Sequence, residues 1–345
     1  MAPDRPDVGQ ALPAGLGPAL AFSRRRSGEI LPRPRMTEAL RVVQPGLFTT
    51  IQDIGRPQAI AAGVPPGGAM DRFAHSAANM LVGNERGAAT LECTLSGPYL
   101  VAERDCLIAI TGADLDPHVN GASVPGWTGV LLAAGDELTF GRRRTGARAY
   151  VAVGGGVAGD RWLGSMSTNL MCGRGGMDGR ALISGDVISV HDSTVPLIAG
   201  RTMSEHLRPR YEERTLHAIA GPHFTRLQPE SRQALFEATY AVSHDSNRMG
   251  YRLEGARLDA PGDELLSFGL VAGVVQLPSG GQPILLMADH QTAGGYPIVA
   301  TVASASMPIA AQLAPGDELR FTETSIEVAL ALRADQRAAL ESLTN

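Results

Sequence analysis

AAGDELTF, residues 133–140, returns almost unchanged as APGDELRF at residues 314–321. Each copy sets a Gly-Asp pair between two apolar stretches. Glycine accepts positive φ and aspartate bonds its own neighbouring backbone, so each pair reads as a tight turn between strands. SGD at 184–186 and PGD at 261–263 repeat the device. These aspartates are read as turn formers, not as chemistry. Other landmarks recur at a near-constant offset. CLIAITGAD (106–114) resembles PILLMAD (283–289), matching Asp114 with Asp289. LECTLSG (91–97) faces LLSFGLVAG (265–273), and GGAMDRF (67–73) faces SNRMGYRL (246–253). Four landmarks in step read as two copies of one β-rich unit.

Working outward, short apolar runs alternate with turns from Leu40 onward, among them ARAYVAVGGG (147–156) and GLVAGVVQLP (269–278). The 41 glycines and 23 prolines suit many short strands. Helical spacing is confined to three segments. MDRFAHSAANMLVG (70–83) puts Phe73, Ala77, Met80 and Leu81 on one face and stops at Gly83. Residues 230–242 and 334–343 are the others. The expected fold is mainly β with a few helices, in two duplicated domains covering 37–205 and 206–345. Residues 1–36, rich in Pro, Arg and Gly, read as a disordered extension. Patterning begins after Met36, a candidate natural start.

Composition removes whole classes of chemistry. All 30 basic residues are arginine. A Walker A lysine, a lysine Schiff base and a biotinyl-lysine are therefore impossible on this chain. A net charge of -5 without a long basic block argues against nucleic acid. Cys93, Cys106 and Cys172 are scattered, which fits a reducing cytoplasm better than a disulfide framework. No run reaches the ~20 apolar residues of a membrane span. Histidines in HxH or HxxxH spacing are absent, so no metal is expected. Gly154-x-Gly156-x-x-Gly159 matches a dinucleotide fingerprint formally, but no periodic helix follows, and a glycine-rich turn is the better reading.

Four polar clusters are candidates for function. In TTIQDIGRP (49–57), Asp53 and Arg56 read equally as an Asx-turn with a satisfied arginine or as binding groups. In PPGGAMDRFAHSAANMLVGNE (65–85), a glycine-rich entry leads into a helix whose N-terminus suits an anion. Asp71 there is either a helix cap or a ligand contact. Asn79 and Asn84 follow it. MADHQTAGGYP (287–297) presents Asp289, His290, Gln291, Thr292, Gly294, Gly295 and Tyr296 on a loop after an apolar strand. His290 alone reads as a surface histidine. SNRMGYRL opens with Asn247 and Arg248 and continues with the period-two alternation of a half-buried strand.

Taken together, QPGLFTTIQDIGR, GGAMDRFAHSAANMLVGN, LECTLSGP, SNRMGYRLEG, GVVQLPSGGQPILLMADHQTAGGYP and AQLAPGDELRF resemble the KipA-like family. That family is also described as allophanate hydrolase subunit 2, or as the C subunit of bacterial ATP-dependent 5-oxoprolinase. The resemblance spans about residues 38 to 325, with Ala293 standing where a second threonine is expected. It implies cyclophilin-like β-barrels similar to the carboxyltransferase half of urea carboxylase. It also implies cleavage of 5-oxo-L-proline to L-glutamate with ATP, jointly with the KipI-like B subunit, which is the partner expected first, and with the A subunit of the same enzyme. The chain is expected to be inactive alone. ATP would be a co-substrate shared with the partner; any biotin would ride on another chain. Two alternatives stay open: the carboxyltransferase component of a urea carboxylase or allophanate pathway, and a regulatory partner of a KipI-like kinase inhibitor. Under the first reading, Arg248 and Asp289 are the expected catalytic pair. Asn247, Gln291, Thr292, Gly294, Gly295, Tyr296, Asp71, Asn79, Asp53 and Arg56 are the expected substrate contacts. Arg248 and Asn247 would hold an anion, the Gly294-Gly295 amides would meet developing charge, and Asp289 would orient or deprotonate a reacting group. The site is expected where the two barrels meet.

Overall fold

Alternating apolar residues draw the first half of the chain into two antiparallel sheets. In the computed structural model, the described residues are 36–193, 196–261 and 265–344. The expected extension, residues 1–35, lies outside them, and Met36 already belongs to the first strand. Six strands of the described residues form one sheet, in the order Val187–His191, Met36–Gln44, Tyr99–Ala102, Glu137–Phe140, Pro117–Val119 and Ala122–Ser123. Five form a second: Phe48–Gln52, Thr90–Thr94, Thr145–Val153, Cys106–Asp114 and Gly129–Leu132. Leu40, Val42 and Leu100 from the first sheet meet Leu91, Cys93, Ala149 and Val151 from the second in one core.

The register of the second sheet decides what faces outward from that core. Thr145–Val153 pairs with Thr90–Thr94 so that Arg148 opposes Thr94, Ala149 opposes Cys93 and Tyr150 opposes Glu92. Successive side chains leave opposite faces of a strand. With Leu91, Cys93, Ala149 and Val151 committed to the core, Glu92, Arg148 and Tyr150 stand together on the other face. That face meets helix α1 (Arg72–Leu81), whose Phe73, Ala74, Ala77 and Leu81 pack against Tyr150 and Ala152.

The second half closes. Seven strands form a barrel in the order Thr215–Ala220, Ile298–Val302, Val274–Gln276, Ile284–Leu286, Gly250–Glu254, Tyr240–Val242 and Glu318–Glu323. A parallel pairing of Thr215–Ala220 with Glu318–Glu323 seals it. Closure removes the sheet edges. Tyr251 and Leu253 point into the barrel core while Arg252 and Glu254 are exposed, as the alternation in SNRMGYRL requires.

The mainly β reading holds, and the repeated turns are real. Asp136 Oδ2 accepts from the Ala133 amide at 2.8 Å, Asp317 Oδ2 from Ala314 at 2.9 Å and Asp186 Oδ2 from Ile183 at 2.8 Å. The PGD turn at 261–263 falls partly outside the described residues. The halves nevertheless differ: one is a pair of sheets, the other a closed barrel. Gly67–Phe73 leads into a helix and Ser246–Leu253 into a strand, so that landmark pair shares no element. Helix α2 (Pro229–Glu237) also ends earlier than its spacing suggests, because Tyr240 and Val242 are claimed by the barrel. Helix α3 (Met307–Ala311) is short. Helix α4 (Ile326–Glu341) begins earlier than expected, at a Ser325 cap whose side chain accepts from the Val328 amide. Its Ala339, with Leu343 beyond its end, joins the cluster around α1, so the last segment returns to the first half. No helix among the described residues is long and apolar enough to cross a membrane.

Candidate active site

Arg248 sits just before the strand Gly250–Glu254 and is only 8% exposed. Its guanidinium is bonded on three sides. Nε donates to Asp289 Oδ2 at 2.8 Å, and Nη2 donates to Asp289 Oδ1 at 3.2 Å and to the Gly68 carbonyl at 2.6 Å. Nη1 forms an ion pair with Glu92 Oε1. Burial opposes its charge, but the Asp289 and Glu92 carboxylates outweigh that cost and raise its pKa above the ordinary arginine value. The donors at the mouth of this strand are therefore spent mostly on protein. A single arginine spans the seam between the halves, because Glu92 and Gly68 come from the first and Asp289 from the second.

Glu92 is the residue that motif reading missed. It is fully buried, and Oε2 accepts from the Met70 amide at 2.9 Å and from Tyr150 Oη–H at 2.8 Å. Burial disfavours its charge; Arg248 and Arg148 more than offset that, and its pKa falls below the usual range. The chain of bonds continues outward. The Asp71 amide donates to Tyr150 Oη at 2.8 Å. Asp71 caps α1 by accepting from the Ala74 amide at 2.9 Å, and its Oδ2 accepts from Tyr211 Oη at 2.8 Å and Gln312 Nε2 at 2.9 Å. Burial pushes the Asp71 carboxyl up to about 6. Asp71 is thus a buried cap behind the site and does not line its cavity.

The cavity beside Arg248 and Asp289 has a volume of about 380 Å³. Arg148, Asn247, Arg248 and Asp289 supply charge and hydrogen bonds; Phe48, Leu95, Leu170, Met171 and Met249 supply apolar wall. Asp289 is the only carboxylate among its described lining residues. Asn247 is exposed and lines the cavity; its Oδ1 accepts from the Met249 amide at 2.8 Å, and its Nδ2 has no hydrogen-bond partner among the described residues. Arg148 is 7% exposed; its Nη1 donates to Tyr251 Oη at 2.8 Å and to the Ala311 carbonyl at 2.5 Å, while buried Nε has no partner among the described residues.

The remaining expected contacts divide. Arg56 is fully buried, stacked 4.9 Å over the Trp162 ring, with Nη2 donating to the Ser167 carbonyl and Nη1 without a partner among the described residues. It approaches the site from behind: a Cβ built on Gly67 would lie 3.0 Å from Arg56 Nη1 and 3.6 Å from Asp289 Oδ1. Asp53 is structural, accepting from Ser165 Oγ, Ser167 Oγ and the Gly55 and Met166 amides. Asn79 is buried within α1, where Nδ2 donates to the Ala88 carbonyl at 2.7 Å and Oδ1 accepts from Asn84. Both amides close a turn.

The glycine loop is displaced from the role expected for it. Gly294 pairs with Phe268 in a two-stranded ribbon, and a Cβ on Gly295 would meet the Leu265 carbonyl at 2.7 Å. Neither glycine is among the described residues lining the cavity of Arg248. The Thr292 carbonyl accepts from the Leu270 amide at 3.0 Å, Gln291 Nε2 donates to Gln276 Oε1 at 3.1 Å, and Tyr296 is exposed. His290 is buried, not superficial, and burial lowers its pKa. Only His290 separates Asp289 from Gln291, yet the chain turns away from the seam between them.

Residues 62–323 match the family model described as carboxyltransferase domain, subdomain A and B. A protein of Escherichia coli K12 named as the C subunit of 5-oxoprolinase is 39% identical over 307 residues, covering 88% of this chain and 97% of its own length. Urea amidolyase of Lachancea kluyveri is 32% identical, but this chain spans only 18% of it. Among solved structures, Kluyveromyces lactis urea amidolyase superposes with a TM-score of 0.83 at 29% identity, covering 90% of this chain and 20% of that one.

Proposed function

The chain belongs to the family defined by carboxyltransferase subdomains A and B, and from that premise we propose that it serves as the C subunit of an ATP-dependent 5-oxoprolinase. The reading rests on similarity along nearly the full length of a protein that carries this name. Urea amidolyase, by contrast, is matched over a small part of its length. The reaction opens 5-oxo-L-proline to L-glutamate in a complex with the A and B subunits in the cytoplasm, and this chain is inactive alone.

The cavity suits a small lactam. Asp289, with Arg248 fixing both its oxygens, takes a proton from the attacking water as the new C–O bond forms at the lactam carbonyl. The proton returns to the ring nitrogen as the C–N bond breaks. Arg248 supplies orientation, because two carboxylates and a carbonyl already occupy its donors. Asn247 Nδ2 stands at the cavity with no such commitment and is suited to hold the carbonyl oxygen. ATP is assigned to the face shared with the KipI-like partner, because a chain without lysine has no ammonium for its phosphates. When bound there, ATP would phosphorylate the lactam oxygen and leave as ADP; ring opening by the first water would then give an acyl phosphate, which a second water would cleave to glutamate and inorganic phosphate.

The test is co-expression with the A and B subunits. ATP-dependent glutamate release should require all three; a complete, folded set that releases none would end this reading. Structural likeness to urea amidolyase favours one second reading, a carboxyltransferase acting with a biotin carried elsewhere. That reading gains if the chain transfers carboxyl groups from carboxybiotin to urea.

A further inference from the structure

Arg148 is a buried guanidinium without a carboxylate partner among the described residues. Its bonded neighbours are the Tyr251 hydroxyl and the Ala311 carbonyl, and its Cζ lies 5.9 Å from the Tyr251 ring centroid. All are neutral. Nε is buried and unpartnered, and Nη2 has no acceptor among the described residues. Glu92 lies near enough to feel the charge, but its oxygens are taken by Arg248, Tyr150 and the Met70 amide. Removing a charge from water without an ion partner costs several kcal/mol, so such groups persist where something completes them. Arg148 lines the cavity from the first half, across from Asn247 and Asp289 of the second.

We infer that Arg148 is the receptor for the carboxylate of the substrate, and so determines specificity for an anionic lactam over a neutral one. The inference builds on the 5-oxoprolinase reading above. Its guanidinium edge, Nε with Nη2, is the geometry that binds a carboxylate through two parallel hydrogen bonds. Tyr251 and Ala311 hold the opposite corner at Nη1, so the edge is presented in a fixed direction. The apolar wall of Phe48, Leu95 and Met249 accommodates ring methylenes. Arg248, with four of its five N–H donors held by Asp289, Glu92 and the Gly68 carbonyl, is less suited to this task. The two arginines divide the labour: one orients Asp289, the other binds the anion.

The experiment compares 5-oxoproline with 2-pyrrolidinone, the same ring without its carboxylate, in the three-component complex. The wild type should have a KM for 5-oxoproline well below the inhibition constant of 2-pyrrolidinone. Arg148→Met should raise that KM by about 10-fold or more, the worth of one charge-assisted hydrogen bond, and leave 2-pyrrolidinone inhibition unchanged. Inorganic phosphate as a competitor separates the two oxyanion sources. If Arg148→Met abolishes phosphate competition while the KM for 5-oxoproline stays put, the residue reads phosphate and the inference fails. Should Arg148→Met not fold, Tyr251→Phe frees the Nη1 corner and should raise the same KM severalfold without altering 2-pyrrolidinone inhibition; no change overturns the assignment. A wild-type complex that makes no glutamate overturns the functional reading and this one with it. An active complex whose KM is indifferent to Arg148 overturns only the present inference.

Discussion

Glu92 holds three donors on two oxygens at full burial, so Glu92→Gln turns one of those positions into a donor facing another donor. Breaking a buried ion pair from one side costs about 3–5 kcal/mol, and chemical denaturation should show a loss of that order. A change under about 1 kcal/mol would mean that the Arg248 network is ornamental. Asp71 gives a second prediction at this scale. Its carboxyl titrates at about 6 in the folded chain against 3.8 for an ordinary aspartate. Between these values the folded state keeps a proton that the unfolded state has lost. Its contribution is therefore full below pH 3.8 and is lost as pH rises through about 6, a span of ~3 kcal/mol. Buried His75 pulls the other way, since its pKa is lowered to about 4: its contribution is present above 6.5 and lost as pH falls. Asp71→Asn leaves the histidine unopposed. The stability gap between wild type and variant should widen on acidification from about pH 7 to about pH 5, as read from urea midpoints; a constant gap would contradict the burial of this carboxyl. Asn247, Arg248 and Asp289 were legible because polar residues broke apolar patterns. Glu92 and Arg148 were not, since each is a lone polar residue in a strand and its meaning lies in which partner it faces. Only the strand register, which sets Tyr150 opposite Glu92, reveals it.

At the scale of elements, the Gly67-Gly68 entry to α1 joins the halves. The Gly67 amide donates to the Ala288 carbonyl at 3.1 Å, and the Gly68 carbonyl accepts from Arg248. Gly68 has φ +95, and a Cβ there would stand 2.8 Å from the backbone carbon of Ile54. Gly68→Ala should therefore lose about 2 kcal/mol or more and depress turnover beyond what the lost stability explains, because the Arg248 acceptor shifts. Retained stability and activity would show that the loop is tolerant. The same entry was readable in the sequence as glycines before a capped helix. The length of α2 was not. Helical spacing over 230–242 carries no information about a barrel that needs Tyr240 and Val242 as strand residues. At 294–295 close backbone approach was foreseen, and in the fold the segment that approaches is 265–270, which spacing along the chain does not disclose.

At the scale of the molecule, the repeated turns disclosed two β-rich halves, and the seam between them is where the buried charges collect. Duplication could not tell that one half would be two sheets and the other a closed barrel, since closure depends on long-range pairings such as Thr215–Ala220 with Glu318–Glu323. Nor could it foresee α4 returning to cover α1. Helix α4 ties the second half to the first, Arg248 bridges them through Glu92, Gly68 and Asp289, and the chemistry is placed at that bridge. The most direct measurement is the rate of ATP-dependent glutamate release by the three-component complex carrying Asp289→Asn. Arg248 keeps Glu92 and the Gly68 carbonyl, so the complex should still assemble, with a melting temperature lowered by the loss of one of its two ion pairs, while kcat measured below that temperature falls by ~100-fold or more, as loss of a proton acceptor requires. An assembled Asp289→Asn complex that turns over within about threefold of the wild type, far less than a lost general base costs, would contradict it.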